Sequence, residues 1–275
     1  MNKISIIIII LLTMIMINCG KNAANDKNVD NASSSTKIDN QKSTITKSDK
    51  IEINAKTAKS YFGGWPVNSN IPEMNDPGFN NPCPGSIGCE CKTESDCDVG
   101  TCFKMPRGQW CSPDIGVQIP NFTTIDQFGE EVELYDFAQK GKYIVIEMSA
   151  AWCRPCNLLA EWMTYGEKDL SEFRWWKSEY SKIRDLVLNE EIYFINIQYE
   201  DKYKDNASLE SLEDWFQTYP ENLIPLLADF NREMHTWVKP NGLPCVIVAD
   251  ENMKLTVFTQ RGLTVGFDYL VKEFQ

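Results

Sequence analysis

Two cysteines three residues apart, Cys153 and Cys156, are the residues of this chain best placed to do chemistry. They stand in Ala151-Trp152-Cys153-Arg154-Pro155-Cys156, directly after the apolar run Lys142-Tyr143-Ile144-Val145-Ile146-Glu147-Met148. Leu158, Leu159, Trp162 and Met163 follow on one helical face. A dithiol at such a strand-to-helix junction can close a small disulfide. The first thiol faces the helix N-terminus, where unpaired N–H groups and the macrodipole stabilise a thiolate. The second is placed to resolve a mixed disulfide. Thiol–disulfide exchange, with Cys153 as nucleophile and Cys156 as resolver, is the chemistry of this pair. A zinc half-site or a structural disulfide would use the same spacing. No second CxxC follows and no histidine is near, so zinc is the weaker alternative. With His235 the one histidine, Ser-His-Asp hydrolysis and multi-histidine metal sites are nearly excluded.

The elements that must hold the dithiol are legible from about Ile115 onward. Asn121–Ile125 and Glu131–Leu134 read as a hairpin across Gln127-Phe128-Gly129. The β-branched run at 142–148 is a buried strand, and Ile192–Ile197 is a second. Glu167–Glu190 reads as mostly helical and amphipathic. Ser208–Tyr219, capped by Ser208 or Ser211, Arg232–Val238 and Phe267–Phe274 read as further helices. Cys245–Val248 and Leu255–Phe258 form a hairpin across Asp250-Glu251-Asn252. Alternating strands and helices predict an α/β domain with a central sheet over residues 115–275.

Taken in this order, the motifs resemble the thioredoxin superfamily. Trp152-Cys153-Arg154-Pro155-Cys156 after a buried strand is similar to its active site. The preceding hairpin, with Ile119-Pro120-Asn121-Phe122 and Gly129, resembles the TlpA/ResA-type thioredoxin-like proteins, which are exported and membrane-tethered. Gly242-Leu243-Pro244 before a strand resembles the family's cis-proline loop, which faces the cysteines and binds the substrate chain. Gly262 resembles a turn glycine of the family more loosely. The resemblance implies a thioredoxin-like fold with an N-terminal β-hairpin extension. It also implies a substrate-binding surface of Trp152, Arg154, Pro155, Leu243 and Pro244, and a buried acid at Glu147. A carboxyl inside an apolar strand is costly unless it works or is paired. Glu147 is therefore either a proton relay for Cys156 or a solvent-facing strand residue. Two features depart from the family pattern. Cys245 directly follows the proline, and 163–190 is long, with Trp175-Trp176 inside it as buried packing.

Six cysteines, Cys83, Cys89, Cys91, Cys97, Cys102 and Cys111, fall within 29 residues of a turn-rich stretch that follows the loop-like 61–82. An even number there reads as three disulfides, with zinc the competing use. Fifteen pairings are possible and spacing does not choose among them. The module, residues 61–114, serves either partner docking or as a stapled cap on the next domain. Its few apolar residues favour the cap. Cys245 is left over as a buried thiol or a redox partner of the pair, and His235 reads as a packed histidine.

The N-terminus reads as an address. Met1-Asn2-Lys3 precedes an apolar run, Ile4 to Ile17, too short to span a bilayer comfortably and suited to a signal peptide over 1–18. Met16-Ile17-Asn18-Cys19-Gly20 resembles a bacterial lipobox, with Asn18 in place of the usual small residue; Cys19 is the expected lipidation site. Lys21 to Ser60 has no aromatic, Gly or Pro. It reads as a disordered tether, so 19–60 is a lipid-anchored linker.

Nine basic and five acidic residues precede Tyr61, leaving 18 basic and 34 acidic residues after it, a net −16 that phosphate backbones would repel. No nucleic-acid partner is expected, and no dissociable cofactor or metal. The expected partners are disulfide-bearing or dithiol proteins of a bacterial cell envelope, an upstream redox donor or acceptor, and the bilayer through Cys19. Three rivals remain. A peroxidase needs a lone activated cysteine with a nearby Thr and Pro, absent here. A copper-delivery protein of this fold has a wider CxxxC and a distant histidine. A non-catalytic surface binding lipoprotein would use the fold only as a scaffold.

Overall fold

The computed structural model describes residues 59–79, 82–166 and 170–275, which lie in one compact unit, Ala55–Gln275. The signal peptide, Cys19 and the linker up to residue 58 lie outside the described residues. Among the described residues no helix is long and apolar enough to cross a membrane.

The cysteine-rich segment contributes the hairpin β1 (Thr101–Met105) and β2 (Gly108–Ser112). A second hairpin, β3 (Thr123–Ile125) and β4 (Glu131–Glu133), follows. The chain then alternates β5 (Tyr143–Ser149), α1 (Arg154–Tyr165), α2 (Ser181–Leu188), β6 (Ile192–Gln198), α3 (Leu209–Thr218), β7 (Leu226–Ala228) and α4 (Glu233–Val238). It closes with β8 (Gly242–Ala249), β9 (Leu255–Val257), β10 (Arg261–Gly262) and α5 (Thr264–Glu273). The central sheet runs β10-β8-β5-β6-β7, with β9 also on β8. β5, β6 and β7 are parallel, and β8 is antiparallel to β5. This is the expected α/β architecture, a thioredoxin-like fold with a hairpin ahead of it.

The order follows from burial. β5 and β8 are rich in Val and Ile and buried on both faces, so they take central places where no face meets water. On one face Val145, Phe194, Val246 and Val248 pack with α1, α2 and α5. On the other, Ile144, Ile146, Ile195 and Ile247 pack with α4 and the β3–β4 hairpin. The segment 61–79, loop-like in sequence, is docked on this second layer. Tyr61 and Trp65 are buried there, and Asp136 receives the Tyr61 hydroxyl, the Asn68 N–H and Lys59.

Two helices depart from expectation. Of Glu167–Glu190, only α2 is α-helical among the described residues. Residues 170–180 are turns and a short 3-10 segment, because their aromatic rings close on one another instead of lying along one stripe. Trp176 stacks edge-on to Trp162 at 4.7 Å and to Tyr180 at 5.6 Å. α5 begins three residues before the expected Phe267, with Gly266 against Val246 and Val248 of β8.

The six clustered cysteines pair as Cys83–Cys89, Cys91–Cys102 and Cys97–Cys111. The sulfurs of Cys91, Cys97 and Cys102 lie within 4.8 Å of one another because two of these disulfides are neighbours. The module leans on α4. Gly88, with φ +84, brings its backbone so near that an added Cβ would stand 2.5 Å from the Thr236 carbonyl. Gln260 donates to Ser112 Oγ at 3.1 Å.

Candidate active site

β5 delivers the chain into the turn 150–153, and α1 leaves it. Cys153 is the N-cap of α1: its backbone is extended and its sulfur accepts the Cys156 N–H at 3.2 Å. A thiolate on Cys153 would therefore receive a backbone N–H and the positive end of the helix dipole. Pro155 sits in the first turn, where a missing N–H costs nothing. Gly166 ends the helix at φ +68, a conformation that favours glycine. Cys153 and Cys156 are bonded to each other, so the dithiol is in its oxidised form, 2% and 0% exposed. Asn157 ties the turn down, donating to the carbonyls of Ala151 at 3.0 Å and Cys153 at 2.8 Å.

The Leu243–Pro244 bond is cis. Cys245 pairs with Met148 in the register of β8 on β5, which sets Pro244 one step further, level with Ser149, where the chain turns toward the dithiol. Leu243 packs against the core cluster that contains Cys153 and Cys156. The cis-proline loop and the dithiol thus share one end of the sheet. Trp152 and Arg154 are exposed beside the cysteines, and Pro155 is half-buried.

Glu147 is buried, 2% exposed, rather than solvent-facing. Asn196 Nδ2 donates to its Oε2 at 2.9 Å, and Ser149 Oγ donates to Asn196 Oδ1 at 2.5 Å. Its Oε1 has no partner among the described residues. Burial pushes its carboxyl up to about 8, against the opposing hydrogen bond from Asn196. It also borders a cavity of ≈ 30 Å³ with Thr164, Asn196 and Tyr219. A carboxyl poised near neutrality can hold or release a proton at physiological pH.

Cys245 is a fully buried free thiol that donates to the Thr259 carbonyl at 3.0 Å; burial pushes it up, so it stays protonated. His235 lies with its ring 4.4 Å from Tyr199, and burial holds it down to about 4, neutral in ordinary conditions. Three residues of the site, Asn196, Glu200 and Arg232, gave no signal in the sequence. Asn196 in β6 and Glu200 just beyond it reach β5 and the dithiol loop, and Arg232 at the start of α4 reaches Glu200, only through folding.

A helix-capping dithiol after a central parallel strand, with a cis-proline on the antiparallel neighbour, is the arrangement of a thioredoxin-like fold. One short stretch of the chain is similar to ResA proteins. Over 44 residues the chain is 42% identical to "Thiol-disulfide oxidoreductase ResA" of Bacillus thuringiensis subsp. konkukian, and equally to that of Bacillus cereus. The matched stretch is 16% of this chain, which spans about a quarter (24%) of the length of these curated relatives. No family model matches the chain. Among solved structures, the thioredoxin domain of a thiol-disulfide oxidoreductase from Bacteroides vulgatus overlaps at TM-score 0.40 and 20% identity, over 58% of this chain and 99% of that one. A putative thiol:disulfide interchange protein DsbE from Chlorobium tepidum overlaps at TM-score 0.41 and 16% identity, over 58% and 95%. What defines the fold here is strand order and the place of the dithiol.

Proposed function

We propose that this protein is a membrane-tethered, extracytoplasmic thiol–disulfide oxidoreductase acting on protein disulfides through Cys153 and Cys156. The observation that carries this reading is the place of Cys153: the cap of α1, its sulfur taking the Cys156 N–H, at the same end of the sheet as the cis-proline loop. In the reduced protein the Cys153 thiolate attacks one sulfur of a substrate disulfide. A Cys153–substrate disulfide forms and the other substrate sulfur leaves as a thiolate, taking a proton. Cys156 then loses its proton, to which buried Glu147 is a candidate acceptor, and attacks the Cys153 sulfur. The Cys153–Cys156 disulfide forms and the second substrate thiol is released; the substrate gains two electrons and the protein loses two. Run in reverse, the same steps oxidise a substrate dithiol. An upstream redox protein of the cell envelope resets the pair, and the reaction needs no dissociable cofactor. Trp152, Arg154, Pro155, Leu243 and Pro244 are the surface offered to the substrate chain. Lipidated Cys19 and the linker to residue 60 hold this surface off the membrane.

The test is a pair of variants. Cys156→Ser should trap envelope proteins as mixed disulfides, since attack proceeds and resolution cannot. Cys153→Ser should abolish both trapping and cleavage of a model protein disulfide. Iodoacetamide should label Cys153 first in the reduced chain, titrating below the free-thiol value of about 8.5. If Cys156→Ser traps nothing and the wild type cleaves no disulfide, the reading fails.

A further inference from the structure

Trp152, 41% exposed beside the nucleophile, is held by a network that the exchange steps do not use. Its indole N–H donates to Glu200 Oε2 at 2.7 Å. The other oxygen of Glu200 accepts from Arg232 at 2.7 Å. Arg232 Nε in turn donates to Asn206 Oδ1 at 2.9 Å, and its guanidinium lies 5.5 Å from the Tyr199 ring. The Glu200 backbone carbonyl accepts the Ala151 N–H at 2.9 Å, so Glu200 grips the dithiol loop by main chain and side chain. The pair is well shielded, with side chains 14% and 33% exposed. Arg232 holds its place with φ +58, a conformation uncommon for a residue with a side chain.

Resting on the exchange reading of Cys153, we infer that Glu200 and Arg232 are a positioning pair for the dithiol. Glu200 fixes the indole of Trp152 beside Cys153. Arg232 cancels the carboxylate charge that would otherwise oppose a thiolate there. An anion near a thiol favours the neutral form and a cation the thiolate, so the two side chains act with opposite sign. The other charged or titratable groups around Cys153 are few. Arg154 stands on its own helix, and Lys204 lies 5.2 Å from the Trp152 ring. Tyr199 and His235 form a ring contact beside Arg232, and Arg107 of the β1–β2 turn acts on Tyr199. Beneath lie Cys156, Glu147 and Cys245. Tyr199 and His235 feel the Glu200 charge, but among the described residues the ion pair of Glu200 is with Arg232.

The test reads the pKa of Cys153 from the pH dependence of iodoacetamide labelling in the reduced full chain. Arg232→Gln should raise it and Glu200→Gln should lower it, each by about half a unit to one unit, and the double variant should return near the wild type. In a 5-fluorotryptophan-labelled chain, the Trp152 resonance, assigned through Trp152→Phe, should move in Glu200→Ala, which lacks the acceptor, and stay in Glu200→Gln, which keeps one. Shifts of the same sign, no shift in either charge variant, or an unmoved Trp152 resonance in Glu200→Ala would each overturn the inference. If Arg232→Gln does not fold, the sign in Glu200→Gln decides. The opposed shifts in a protein that cleaves no disulfide would keep the pair and reject the exchange reading.

Discussion

Replacing Glu147 by Gln tests what the interior does to a carboxyl beneath the dithiol. Its pKa stands at about 8 in the fold against an ordinary 4.5, because burial disfavours the anion. A raised folded-state value means the contribution of this group to stability is fully present below pH 4.5 and is lost as pH climbs toward 8. At pH 7 the unfolded chain holds the ionised form while the folded chain must protonate it, a cost of about 3 kcal/mol. Gln has no such term. It keeps an oxygen for Asn196 but brings an amide N–H where Oε1 has no partner, a pH-independent loss of about 1–3 kcal/mol. The variant should therefore be the less stable protein at pH 4.5 and gain on the wild type by about 3 kcal/mol up to pH 7. Guanidinium unfolding of the oxidised full chain at a series of pH values measures the difference directly. Parallel pH profiles for the two proteins would show that Glu147 ionises in the fold as freely as in water, and the argument for a buried proton store would go with them.

Other outcomes follow from the same contacts. Asp136→Ala removes a buried acceptor of the Tyr61 hydroxyl, the Asn68 N–H and Lys59, and should cost about 3 kcal/mol; limited proteolysis should then cut within 59–79 first. Disulfide mapping without reductant should return Cys83–Cys89, Cys91–Cys102 and Cys97–Cys111. Opening the last with Cys97→Ser and Cys111→Ser, a separation of 14 residues, should lower stability by about 3 kcal/mol in thermal unfolding. Cys19→Ala should leave the detergent phase or remain unprocessed, and normal membrane partition of that variant would remove the lipid anchor from the proposal.

The dithiol, its strand and its helix were legible in the sequence because each is written locally. A β-branched run makes β5, a Cys-x-Pro-Cys start makes the cap of α1, and an apolar stripe aims that helix at the sheet. Leu243–Pro244 was legible only through its resemblance to a family loop, and the structure sets the proline inside β8. Tertiary contacts decided the rest. Residues 170–180 have helical composition in part, yet Phe173 stacks on Trp175, Trp175 meets Trp176, and Trp176 packs on Trp162 and Tyr180 instead of continuing a helix. Fifteen pairings of six cysteines are equal on paper; the fold sets Cys102 opposite Cys111 in the β1–β2 hairpin, and each bonds a cysteine of the preceding loop instead of its neighbour. Glu147 could face water or the interior until β6 and α1 covered it. Glu200 and Arg232, 32 residues apart, carry no motif at all. Their meeting depends on where the end of β6 and the start of α4 come to rest, which is a property of the folded chain and not of any stretch of it.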